Sequence, residues 1–192
     1  MDTKKLQLAG RKLVRLLRHI GLSYGLRFDS EGYVLIQEIL RCQFVNNFKL
    51  SMDELDWIID NNNKKRLGYN EDRTKIRCHQ GHSRDISSLL DPEKIYKRVS
   101  DSTEIIPCMH GTYTVNLRGI NIDGLLPMDR HMIHMTNRRD FFRKSVEVVI
   151  YIDVEKAIKD GMIFYVSGNG VILSNGINGK IGTQYFSNIE FT

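Results

Sequence analysis

Residues 145–174 read SVEVVIYIDVEKAIKDGMIFYVSGNGVILS. The long β-branched run SVEVVIYIDV (145–154) predicts a strand. MIFYVS (162–167) and VILS (171–174) predict two more strands, with Gly, Asn and Ser between and after them as turn residues. AIKDGM (157–162) predicts a short helix with Gly161 near its end. Strands joined by turns rather than by long helices define a β-rich lobe.

The N-terminal half reads differently. Leu6, Leu8, Leu13, Leu16, Leu17 and Ile20 recur at helical spacing, so a helix is predicted over 5–20, with Gly21 as its stop. Tyr33–Leu35 predicts a short strand leading into a helix. SMDELDWIIDNN (51–62) carries a capping signature: Ser51 with Glu54 three residues later. Strand-like runs around Lys65–Tyr69 and Thr74–Cys78 flank the turn NEDR. Helices followed by a small hairpin suggest a winged-helix-like lobe. Residues 84–105 are polar, contain Pro92 and show no strong period, so they are read as the connection. The fold class is α+β, with lobes at 1–90 and 91–192. YTVNL (113–117) reads as β-like.

Composition bounds the function. Of 192 residues, 41% are hydrophobic and 27% charged, which argues against disorder. No apolar run is long enough for a membrane span, and the N-terminus lacks signal-peptide features. Cys42, Cys78 and Cys108 are far apart, without a CxxC pair, so neither a zinc site nor a disulfide framework is expected. A reducing, cytoplasmic setting is expected. Residues 1–90 hold 16 Lys+Arg and 11 Asp+Glu, so all of the net +5 lies there. That suggests a polyanionic partner for this half.

Candidate chemistry is scattered. Arg18-His19 end the first helix. Lys64, Lys65 and Arg66 follow three asparagines. Arg77, His79 and His82 occur in IRCHQGHS, and Arg130, His131 and His134 in MDRHMIHM. Arginine suits phosphate because its planar fork makes two charge-assisted hydrogen bonds. Taken singly, each group also reads as a solvated turn or helix end. HGT (110–112) and SGNG (167–170) could let backbone approach a ligand, or could be plain turns. Neither a Rossmann GxGxxG after a strand nor a P-loop occurs.

The order of these blocks is informative. RH, KxR, IRxxQGHS, HGT, GLL…MxRxxxH and IDxxxAxxDGxxFYxSxNGVIL run from about residue 6 to about residue 188. In that order the chain resembles the RNA 2'-phosphotransferase family, also called tRNA 2'-phosphotransferase. The resemblance implies an RNA-binding winged-helix lobe and an ADP-ribosyltransferase-like lobe that binds NAD as co-substrate. It implies removal of an internal RNA 2'-phosphate, as at a tRNA splice junction. The 2'-phosphate attacks NAD and expels nicotinamide, giving an ADP-ribosylated 2'-phospho-RNA. The ribose 2''-hydroxyl then attacks phosphorus, leaving 2'-OH RNA and ADP-ribose 1'',2''-cyclic phosphate. An alternative is an ADP-ribosyltransferase on a nucleic-acid phosphate or another acceptor that omits the second step.

The resemblance assigns Arg18, His19, Arg66 and Arg130 to a catalytic phosphate clamp shared by both halves. It places Lys64, Arg77, Gln80, His82 and Ser83 at the substrate phosphate and RNA. It places His110, Gly111, Thr112, His134, Ser167, Asn169 and Gly170 at NAD. No metal and no membrane are expected, and the expected state is a monomer. Two departures stand out. Leu67 and Gly68 follow the KxR arginine where the family has Phe first, and Met132 replaces the first His of the family's HxH.

Overall fold

In the computed structural model, which describes residues 2–192, the Asp2 carboxylate accepts the backbone N–H groups of Lys4 and Lys5 at 3.1 Å. This cap starts α1 (Thr3–Arg15), whose apolar face of Leu6, Ala9 and Leu13 is fully buried. The next turn, Leu16–Ile20, is π-helical. The wider turn keeps Leu16 and Leu17 buried while Arg18 is half-buried and His19 exposed. The helical path does not stop at Gly21, which has an ordinary φ of −58. It continues through a 3-10 turn, Leu22–Tyr24, to Gly25 at φ 76. Gly21 is needed for packing instead: a Cβ there would stand 2.7 Å from the Phe28 ring.

β1 (Val34–Leu35) and α2 (Ile36–Arg41) follow. α3 (Met52–Asp60) starts at a complete Ser51–Glu54 capping box and packs against α1. β2 (Leu67–Tyr69) and β3 (Lys75–Cys78) pair antiparallel, with Leu67 opposite Cys78 and Gly68 opposite Arg77. β1 joins the other edge of β3, giving the order β1-β3-β2. One core unites these parts through Leu13, Leu17, Ile39, Leu55 and Ile76. The polar stretch after residue 84 is not a bare connection. It holds α4 (Arg84–Ser87) and α5 (Pro92–Ile95), and this first compact unit ends at Ile95.

The second unit, Tyr96–Thr192, has two antiparallel sheets. Its elements are β4 (Lys97–Arg98), β5 (Cys108–Thr112), α6 (Leu117–Asp123), β6 (Ile133–Met135), β7 (Val148–Ile152), α7 (Val154–Lys159), β8 (Tyr165–Val166), β9 (Ile172–Ser174) and β10 (Phe186–Phe191). The sheet orders are β10-β7-β5 and β4-β8-β9-β6. β7 is central, with Val148, Val149 and Ile150 wholly buried, which explains its unbroken apolar run. β5 and β6 meet where Met109 and Thr136 exchange backbone hydrogen bonds of 2.8 and 2.9 Å. YTVNL is not a strand: Thr114–Asn116 is a 3-10 turn feeding α6. The three cysteines are buried and unbridged. Among the described residues, no helix is long and apolar enough to cross a membrane.

Candidate active site

In the first unit, the π-helical turn presents Arg18 to the QGHS loop. The Ser83 N–H and Oγ–H both donate to the Arg18 carbonyl, at 2.8 and 3.0 Å. Gly81 lies at φ 85, and a Cβ there would stand 3.1 Å from Arg18 Cζ. Two features therefore demand glycine at 81: the left-handed backbone and the guanidinium against it. Arg18 Nε and Nη2 are buried and have no hydrogen-bond partner. No carboxylate pairs with Arg18 or Arg66 among the described residues.

Arg66 is held by Asn62, whose Oδ1 accepts from Arg66 Nη1 at 3.2 Å. Burial, and then the charge of Arg18, depress the pKa of Arg66. The two cations are therefore close enough to oppose each other. Arg77 is anchored differently. Its Nη1 donates to the Glu31 carbonyl at 3.0 Å, and its guanidinium lies 4.4 Å from the Tyr33 ring centroid. Its Nε remains buried and unpartnered.

His82 is 2% exposed and neither ring nitrogen has a partner. Burial, reinforced by Arg18, His19 and Arg77, drives its pKa down to about 3. It is a neutral imidazole among cations. His79 is also held neutral by burial, with the Arg77 charge adding to it, and its ring fills the space beside Gly68. Gln80 is buried, His19 is exposed and Lys64 is half-buried.

In the second unit, a cavity of about 610 Å³ is bounded by β5, α6, the 124–130 segment and β6. His110, Thr112, Arg130 and His134 all line it, together with Met132. His110 Nδ1 lies 2.9 Å from the His134 carbonyl, which can only accept, so Nδ1 carries the proton and Nε2 is the acceptor. Burial first, then the charge of Arg130, disfavours protonation of His110 despite that bond. His134 Nδ1 likewise donates to the Met132 carbonyl at 2.9 Å. Thr112 Oγ1 accepts from Asn116 Nδ2 at 3.2 Å. Asn116 lines the cavity too, and the sequence pattern hid it because it sits in the misread YTVNL segment.

Gly111 and the SGNG block do not line this cavity. The space beside Gly111 is taken by Phe142, 2.8 Å from where a Cβ would be, so packing explains the glycine. Ser167, Asn169 and Gly170 build the β8–β9 turn. Ser167 Oγ accepts the Val171 N–H at 3.0 Å and meets Asn169 Oδ1 at 2.8 Å, and Gly170 takes φ 78.

The RNA 2'-phosphotransferase, Tpt1 / KptA family model matches residues 4–176. The chain belongs to this family. RNA 2'-phosphotransferases are transferases. The chain is 31% identical over 194 residues to tRNA 2'-phosphotransferase 1 of Danio rerio, covering 94% of itself and 83% of that protein. It is 32% identical over 183 residues to a protein of Herpetosiphon aurantiacus named as a probable RNA 2'-phosphotransferase, covering 93% of itself and 96% of the relative. A Schizosaccharomyces pombe protein, named provisionally as a tRNA 2'-phosphotransferase, is 34% identical over 189 residues. The chain spans half the length of that relative and 94% of its own. The match to the RNA 2'-phosphotransferase family takes in every cluster residue described above.

Proposed function

We propose that the chain removes an internal 2'-phosphate from RNA, at a splice-junction type of site in tRNA-like substrates, with NAD as the acceptor-supplying co-substrate. One observation carries the reading. A half-buried guanidinium, Arg18, keeps two buried nitrogens, Nε and Nη2, unpartnered beside a second cation and without a carboxylate. A buried polar group without a partner is costly, and like charges add to the cost. A phosphate dianion relieves both. It accepts from the guanidinium and offsets the repulsion between Arg18 and Arg66. Neutral His82 limits the competing positive charge without adding an anion.

The second unit's cavity fits the co-substrate. Its volume lies within the range of small-ligand pockets. Leu125, Leu126 and Met128 supply apolar surface, Arg130 supplies charge for phosphates, and Asp123 and Asp129 offer acceptors to ribose hydroxyls. His110 presents Nε2 as an acceptor. Bound there, NAD would contribute an electrophilic ribose carbon and a nicotinamide leaving group. Arg18, His19 and Arg66 would hold the RNA phosphate, and Arg130, which the resemblance gives to the same phosphate, would offset charge in the transition state of phosphoryl transfer. Lys64, Arg77, Gln80 and Ser83 would keep the RNA and the Arg18 turn in place. The winged-helix and ADP-ribosyltransferase-like readings of the two units belong to this proposal.

The test is incubation with NAD and a short RNA bearing one internal 2'-phosphate. The expected products are 2'-OH RNA, nicotinamide and a cyclic phosphate of ADP-ribose. RNA that stays phosphorylated would overturn the reading. ADP-ribosylated RNA as the end point would replace it with one-step ADP-ribosyl transfer.

A further inference from the structure

On the first unit, a groove of about 510 Å³ is lined by residues of α1 and α3 and by the 61–66 segment, Arg66 among them. Its floor is the close approach of the two helices at Gly10, where a Cβ would stand 3.0 Å from Ile58 Cγ2. One wall is Trp57, half-buried on α3. The rim is the run Asn61, Asn62 and Asn63. Arg11, Lys64 and Arg66 are the charged residues of its lining, and none is acidic. Another groove on this unit is the opposite in character, its charged lining being Asp29, Glu31, Glu71 and Asp72 with Lys75.

We infer that the Trp57 groove is a nucleobase subsite, taking the base of a nucleotide flanking the 2'-phosphate. This rests on the proposed reading of Arg66 as a phosphate ligand. The argument is one of continuity and chemistry. Arg66 belongs both to the cation cluster without a carboxylate and to the lining of the groove, so a phosphate held there sets a flanking nucleotide beside the groove. Single-stranded RNA is recognised by stacking of unstacked bases on aromatic rings and by amides that meet base edges. Trp57 offers the ring, and the asparagine amides offer donors and acceptors beyond the bonds that Asn61 Nδ2 gives to the Trp57 carbonyl and Asn62 Oδ1 takes from Arg66. The cations would neutralise the adjoining backbone. Asn62 both lines the groove and holds Arg66. Its Oδ1 orients Arg66 at 3.2 Å, so the base-binding turn also aims the phosphate ligand.

Trp57 is the chain's one tryptophan, so its fluorescence reports this groove alone. The full chain is titrated, without NAD, with short 2'-phosphorylated RNAs. One has all its bases; in the others the phosphorylated nucleotide or one flanking neighbour is abasic. Quenching is expected with the complete RNA, and its loss at one flanking abasic position. In turnover assays, Trp57→Ala should raise KM for RNA about tenfold with kcat changed less than about twofold. Trp57→Phe should restore most of that loss, and the Trp57→Ala variant should no longer distinguish the abasic RNA from the complete one. Fluorescence indifferent to every abasic position, or equal abasic penalties in wild type and Trp57→Ala, would overturn the subsite. A thermal melt of each variant controls for folding. Quenching that persists while NAD fails to release the phosphate would sink the proposed reaction and leave the subsite standing. Turnover without quenching would do the reverse.

Discussion

Arg18 is the residue where stability and chemistry pull in opposite directions. Its two unpartnered buried nitrogens and the repulsion from Arg66 favour the unfolded chain. Arg18→Met should therefore leave the melting temperature equal or higher while turnover of 2'-phosphorylated RNA falls about 100-fold or more. Inorganic phosphate should raise the melting temperature of the wild type and do so much less for the variant, which calorimetry can read. His82 makes a pH prediction with a definite sign. Its folded pKa, about 3, lies below its ordinary 6.5. Above pH 6.5 both states are neutral there and its full contribution is present. As pH falls from 6.5 toward 3, only the unfolded chain takes up the proton, and stability is lost. The loss should reach about 2 kcal/mol by pH 5. Urea unfolding at pH 7 and pH 5 should show this difference shrinking by about that amount in His82→Asn. The sequence marked His82 by its neighbours in the QGHS block, but its neutrality comes from burial, which no local pattern reveals.

At the scale of elements, the π-helical turn and the QGHS loop act as a pair. Gly81→Ala adds a methyl 3.1 Å from Arg18 Cζ and forces φ 85 on a side chain that resists it. The expected result is kcat lowered roughly ten- to a hundredfold, because the guanidinium is displaced by a few tenths of an ångström or more. Circular dichroism at ambient temperature should be unchanged. How much of the structure was legible in the sequence also follows from its elements. α1, α3 and β7 were readable because burial on one face or on both leaves a period or an unbroken run. The π-helical turn was not, since one extra residue per turn leaves no compositional trace over five positions. The 3-10 turn Thr114–Asn116 was read as β-like because Thr114 and Val115 favour strands locally, yet Val115 is 84% exposed. α6 went unread because none of its residues is buried, so no apolar period marks a helix. β10 is an edge strand with half-exposed positions, FSNIEF, and its alternation is too weak to stand out. For the candidate site, motif order grouped His110, Thr112 and His134 as NAD residues and Arg130 with the phosphate clamp, and all four line one cavity. It also counted Gly111 and the SGNG turn as ligand-facing, and these do not line that cavity.

For the whole molecule, the charge asymmetry survives the structural boundary. The unit ending at Ile95 carries 17 Lys+Arg against 13 Asp+Glu, and the rest of the chain carries 11 against 10. Binding of 2'-phosphorylated RNA should therefore weaken linearly in log–log plots against salt, since each neutralised phosphate releases counterions. Lys64→Ala should lower that slope by about one and leave NAD affinity unaltered, as filter binding and calorimetry respectively can show. The buried thiols have a different consequence. Cys78 feels the positive charges of Arg18 and Arg66, which would acidify it, but burial wins and pushes its pKa up to about 11. Cys108 is pushed up by burial as well, and Cys42 is buried. All three are thus poor nucleophiles in the folded state. The native chain is in effect a cysteine-free background, and a single cysteine engineered on its surface would be the position that takes a maleimide dye.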